Sequence, residues 1–117
     1  MTMKNASDKE KEPNKAPEYV TLRPPADVED TSTGVEISFE MPGVKGSDIE
    51  IEAGSGMLKV EGKSSLQRKG MPVLFKRSFY ISDAVDVEKI KAAAKDGVLT
   101  LHLPKVEHAI PRKIKVN

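Results

Sequence analysis

Apolar and polar residues take turns along most of this chain. Val35, Ile37, Phe39 and Met41 alternate with Glu36, Ser38 and Glu40, the period-two pattern of a half-buried strand. Pro42-Gly43 ends that run with turn chemistry. Ile49-Glu50-Ile51-Glu52-Ala53 repeats the alternation, Gly54-Ser55-Gly56 supplies a tight turn, and Leu58-Lys59-Val60-Glu61 follows as a hairpin partner. Residues 75–81 form another strand, reaching back to Val73, with Phe75, Arg77 and Phe79 on one face. Leu99, Leu101 and Leu103 share a face of the run 98–103, which opens after Asp96-Gly97 and closes at Pro104-Lys105. The alanines just before it invite a helical reading. With Ile90, Ala92 and Ala94 on one side and Asp96-Gly97 as a turn, however, residues 90–94 are expected as a strand paired with 98–103. Residues 19–22 predict a short strand stopped by Pro24-Pro25, and Val28 marks a brief edge strand. Asp86 to Lys89 suggests a single helical turn. About seven short strands, turn signals between them and no convincing helix predict an all-β, immunoglobulin-like β-sandwich.

Composition narrows the function classes. At 117 residues the chain fits one domain with flanking segments. Lys and Arg number 19 against 18 Asp and Glu, so the broad basic field of a nucleic-acid binder is missing and no nucleic-acid partner is expected. There is no cysteine, which removes disulfides and thiol chemistry and suits a reducing compartment. The start lacks the apolar stretch of a secretory signal, and no run approaches membrane-spanning length. A soluble, cytoplasmic protein without membrane contact is the expectation. Residues 1–18 are charged, contain proline and carry almost no bulky apolar group, a composition that cannot offset its own ordering entropy. The expected division is a disordered arm over 1–24, the sandwich over 25–106 and a tail over 107–117.

Candidate chemistry is sparse. His102 alternates outward between Leu101 and Leu103, and with His108 as the other histidine no third metal ligand lies near. Gly54-Ser55-Gly56 lacks the Gly-Lys-Ser/Thr ending and helix of a phosphate loop. The glutamates at 50 and 52 face away from the core side and read as solubilising surface, not an acid–base pair. Ser64-Ser65 has no evident base. No catalysis, cofactor or metal is expected. Two features stand out. Arg77 is a charge on the same face as two phenylalanines, and the chain closes on "HAIPRKIKVN", where Ile114 and Val116 project the same way from an extended segment. That ending suits a last sandwich strand or a detachable adhesive peptide equally.

These residues resemble one family in four places, in order, from about residue 25 to 116. "DGVLTLHLPK" is similar to the Gly-Val-Leu signature of the small heat-shock proteins (the α-crystallin domain). "FEMPGVKGSDIEIEAGSGMLKVEGK" resembles that family's strand, turn and hairpin, "FKRSFYI" its Phe-x-Arg-x-Phe strand, and "IKV" its Ile-x-Ile/Val tail motif.

The resemblance implies an ATP-independent holdase whose partners are non-native client proteins and further copies of itself, assembled from dimers. It implies that Ile114 and Val116 of one subunit enter a groove on another, lined by Ile49, Ile51 and Ala53 against Ile90, Ala92 and Ala94. It also puts Arg77, with Phe75 and Phe79, at a dimer interface. Residues 63–74 are shorter than the loop that bacterial and plant members use to exchange a strand. Antiparallel pairing of 73–81 with its copy is therefore expected instead, with Asp83 or a partner glutamate neutralising Arg77. A CS-type co-chaperone docking domain shares the sandwich but should lack the Ile-x-Val tail and the Asp-Gly-Val-Leu opening. A structural sandwich such as an adhesin subunit would usually carry an export signal.

Overall fold

A computed structural model describes residues 18–117; the greater part of the expected N-terminal arm lies outside the described residues. Eight strands follow in chain order: β1 Val20–Leu22, β2 Ala26–Asp30, β3 Gly34–Glu40, β4 Val44–Gly54, β5 Met57–Arg68, β6 Met71–Tyr80, β7 Lys91–Lys95 and β8 Val98–Pro104. They form two four-stranded sheets, ordered β1-β6-β5-β4 and β2-β3-β8-β7. Single 3-10 turns at Val87–Lys89 and Glu107–Ala109 are the helical elements. The architecture is the all-β sandwich that the alternation predicts, and β1 joins it from within the segment expected as arm.

The core comes from the period-two faces of the four inner strands. Ile37 and Phe39 of β3, with Met41 just beyond it, meet Leu99, Leu101 and Leu103 of β8. In register, Ile37 lies opposite Leu101 and Phe39 opposite Leu99. Leu58 and Val60 of β5 and Val73 and Phe75 of β6 close the core from the other sheet. Each side chain this size contributes roughly 1.5–3 kcal/mol when fully buried, so these four strands dominate stability. Phe39 and Phe79 add an edge-to-face contact across the sheets, with centroids 5.8 Å apart.

Tight turns set the registers. Asp96 and Gly97 both take positive φ, 52° and 79°, the type I′ geometry whose twist matches a hairpin. Gly97 also packs closely on the segment after β3: its carbonyl accepts from the Met41 amide at 2.7 Å, and a Cβ there would meet Pro42 Cα at 3.3 Å. A second turn of the same kind, Lys69-Gly70 with φ 53° and 79°, joins β5 to β6. Residues 63–74 are thus no loop but the end of one long hairpin, its pairing continuing past an irregularity to Arg68 opposite Met71. Gly70 and Pro72 suggest a break, but Gly70 belongs to a two-residue turn, and Pro72 pairs with Gln67 next to the end of the hairpin.

Candidate functional site

Strands β4 and β7 are the outer strands of the two sheets on the same side of the sandwich. Between them lies a cleft of about 210 Å³. Ile49 and Ile51 of β4 line one wall and Ala92, Ala93 and Ala94 of β7 the other, with Leu99 and Gly46 completing it. Its apolar lining follows from the chain: Ile49 and Ile51 point between the sheets, whereas Asp48, Glu50 and Glu52 point out. The width follows from size, since β7 puts methyl groups where larger side chains would fill the space. At its end the strands approach until a Cβ on Gly46 would sit 3.8 Å from the Ala94 Cβ.

Four of the six expected groove residues, Ile49, Ile51, Ala92 and Ala94, are brought together here. The other two are not in this lining. Ala53 borders a different hollow with Glu52, Gly54 and Met57. Ile90 precedes β7 as the cap of the 3-10 turn and packs against the core. Gly46 does not follow from the alternating pattern because β4 starts at Val44, ahead of its alternating run, and shifts register before Ile49. Ala93 of β7 and Leu99, a core residue of β8, line the cleft only through the packing of one sheet on the other. For Gly46, a glycine inside a strand, which often marks a bulge or a close approach, is the one signal that could have pointed there.

The tail residues stay apart from this cleft within the chain. Residues 111–117 are exposed and pair with no strand among the described residues, so the tail is not a last strand of the described sandwich. Ile114 and Val116 are 88% and 89% exposed.

Phe75, Arg77 and Phe79 all point inward from β6. Phe75 is core, 6% exposed. The Arg77 guanidinium lies over the Phe79 ring, 4.9 Å from its centroid, and donates through Nη1 to the Pro24 carbonyl at 2.8 Å. Its Nε is buried without a partner. Among the described residues Arg77 has no carboxylate within ion-pair distance, Asp83 included; the pairs found are Lys76–Glu61 and Lys89–Asp86. Arg77 therefore ties the β1–β2 crossover to the sandwich. On the β1 side of β6, pairing among the described residues covers only Val73 to Phe75, so on that side Lys76 to Tyr80 have no strand partner among them, and Tyr80 is 91% exposed.

The remaining candidates have structural roles. The Ser64 hydroxyl donates to the Pro42 carbonyl at 2.8 Å and accepts from the Leu66 amide at 3.0 Å, pinning the β3–β4 turn. His102 stands on the outer face opposite Lys91. Among the described residues there is no group of three or more potential metal ligands, and no helix long and apolar enough to cross a membrane.

A family model, described as Hsp20/alpha crystallin family, matches residues 27–117. The chain belongs to that family. The 17.7 kDa class II heat shock protein of Arabidopsis thaliana is 34% identical over 103 residues, 78% of this chain and 66% of that protein. The 18 kDa antigen 1 of Mycobacterium avium is 32% identical over 88 residues, 68% of this chain and 60% of that protein. The chain thus covers somewhat under two thirds of the length of these relatives. Among solved structures, heat shock protein 16.0 of Schizosaccharomyces pombe superposes with a TM-score of 0.65 at 30% identity, over 82% of this chain and 98% of that one. A small heat-shock protein of Xylella fastidiosa, described as having a distinct high order structure, gives 0.64 at 25% identity, over 82% and 97%. As a small heat-shock protein, the chain carries the α-crystallin-type sandwich that its motifs imply.

Proposed function

We propose that this chain is an ATP-independent chaperone that binds partly unfolded proteins and keeps them from aggregating. Two-fold dimers are its building block, joined into larger assemblies when the tail of one subunit docks in the β4–β7 cleft of another. Membership of the Hsp20/alpha crystallin family supports the class of activity. The observation that carries the mechanism is a pair of unmatched apolar surfaces: a tail with Ile114 and Val116 almost fully exposed, and an open cleft of isoleucine and alanine walls. An extended segment with knobs two residues apart fits a cleft between two sheet edges. The open stretch Lys76 to Tyr80 of β6 is where a second copy adds a strand to form the dimer, placing Arg77, Phe75 and Phe79 beneath that contact. A cysteine-free chain suits the cytoplasm.

Holding needs no nucleotide. Any surface that binds non-native chains lowers the free concentration that self-associates, a mass-action effect. The test is light scattering from a heat- or reductant-destabilised client mixed with this protein. Aggregation is expected to fall at equimolar protein without ATP. Unchanged aggregation, or suppression only with ATP, refutes the proposal.

A further inference from the structure

The two walls of the cleft carry opposite charge. On β4, Asp48, Glu50 and Glu52 are exposed on the outer face, alternating with the inward Ile49 and Ile51. On β7, Lys91 and Lys95 are exposed on the outer face, alternating with Ala92 and Ala94. The tail has the same alternation: Ile114 and Val116 on one side, Lys113 and Lys115 on the other, with Arg112 before them and no carboxylate side chain after Glu107.

An extended tail in the cleft can add to the free edge of either strand, and charge distinguishes the two. Added antiparallel to β4, its inward pair meets Ile49 and Ile51 while Lys115 falls beside Glu50 and Lys113 beside Glu52; in the parallel direction Lys113 meets Asp48 instead. Added to β7, the same inward pair meets Ala92 and Ala94, but Lys113 falls opposite Lys91 or Lys95 according to strand direction, and Lys115 falls opposite Ala93, diagonal to both lysines. Opposite charges across neighbouring strands stabilise and like charges destabilise. Glu50 is particularly suited to an incoming cation. Its cross-strand neighbour is Glu61, whose own cation, Lys76, lies 3.7 Å from it, and among the described residues no cation is within ion-pair distance of Glu50. The sheets of a sandwich stack about 10 Å apart, comparable with the screening length at physiological salt, so the two walls remain electrostatically distinct.

We propose that the tail of a second copy adds as a further strand to β4, with Glu50 and Glu52 selecting it through Lys113 and Lys115, and that Lys91 and Lys95 turn it away from β7. This rests on the tail-in-cleft reading above. It gives the contact a specificity that apolar knobs alone lack: a tail with acids beside its knobs is rejected, whatever its hydrophobic fit.

The test is the concentration at which dimers join into larger assemblies, measured by sedimentation on the full chain. Glu50→Lys with Glu52→Lys, and separately Lys113→Glu with Lys115→Glu, are each expected to raise it about tenfold, because two cross-strand pairs turn from attraction to repulsion. Combining all four changes restores it. Wild-type assembly weakens as salt rises from about 50 to about 500 mM and the screening length contracts to about 4 Å. Lys91→Glu with Lys95→Glu does not weaken it. If the charge variants assemble like wild type while Ile114→Ala with Val116→Ala dissociates, the tail still docks and charge selection is wrong. If the β7 lysine change weakens assembly and the β4 change does not, the tail lies on β7. If the apolar double change also has no effect, the tail-in-cleft reading falls and this one with it.

Discussion

Arg77 shows how far a single residue can be read from its neighbours in sequence. Alternation alone places it on the inward face with Phe75 and Phe79, and it lies there. Its partner was not legible, because the Pro24 carbonyl is 53 residues away and reaches Arg77 only once β1 has paired alongside β6 and the chain has turned into β2. A planar guanidinium suits this position, since it stacks on the Phe79 ring while its edge donates to the carbonyl. Lysine cannot do both. Arg77→Ala should destabilise the folded chain by roughly 1–3 kcal/mol, through a lost charged hydrogen bond and a buried carbonyl left without its donor. Arg77→Lys should recover part of that at most. Lys76→Ala, whose link to Glu61 is exposed at 3.7 Å, should cost under about 1 kcal/mol. Urea unfolding of the three variants checks this. Equal small effects would mean that Arg77 contributes only at a contact between copies.

At the scale of elements, strand existence was legible and strand extent was not. Each strand expected from alternation is present. Yet β4 runs 11 residues and β5 12, well beyond their alternating cores, because hairpin pairing carries the chain through polar stretches such as Lys63 to Arg68. The cleft shows the same pattern. Four of its residues follow from alternation in β4 and β7, while Gly46 and Leu99 enter through a register shift and the packing of one sheet on the other, neither of which a local pattern encodes. The alanine run in β7 is where local propensity misleads. Alanine is the strongest helix former, but Lys91 to Lys95 pairs residue by residue with β8. Small side chains there keep the cleft open. Ala94→Leu should therefore leave β7 folded, since Ala94 is exposed, while filling the space beside Ile49 and Ile51. Far-UV circular dichroism should be unchanged and assembly beyond the dimer should weaken. Assembly equal to wild type would show that the tail does not use this cleft.

In the whole molecule, the two proposed contacts sit on opposite edges of one sheet. In the order β1-β6-β5-β4, the cleft borders β4, whereas the open stretch of β6 lies at the β1 end. No residue is shared between them, and energies of separated sites add. The contacts should therefore fail independently. Ile114→Ala with Val116→Ala removes most of two apolar knobs, each contributing roughly 1.5–3 kcal/mol when buried, so tail-mediated assembly should weaken roughly a hundredfold or more. It should stop at dimers, because the β6 edge is untouched. Arg77→Gly should do the reverse, loosening the dimer while the cleft and tail stay as they are. Native mass spectrometry across a dilution series separates these outcomes. Dimers persisting in the tail variant, and monomers growing in the Arg77 variant, fit two independent contacts. Monomers from the tail variant would mean that the tail itself holds the dimer together, and an unchanged distribution would mean that it packs against no other subunit.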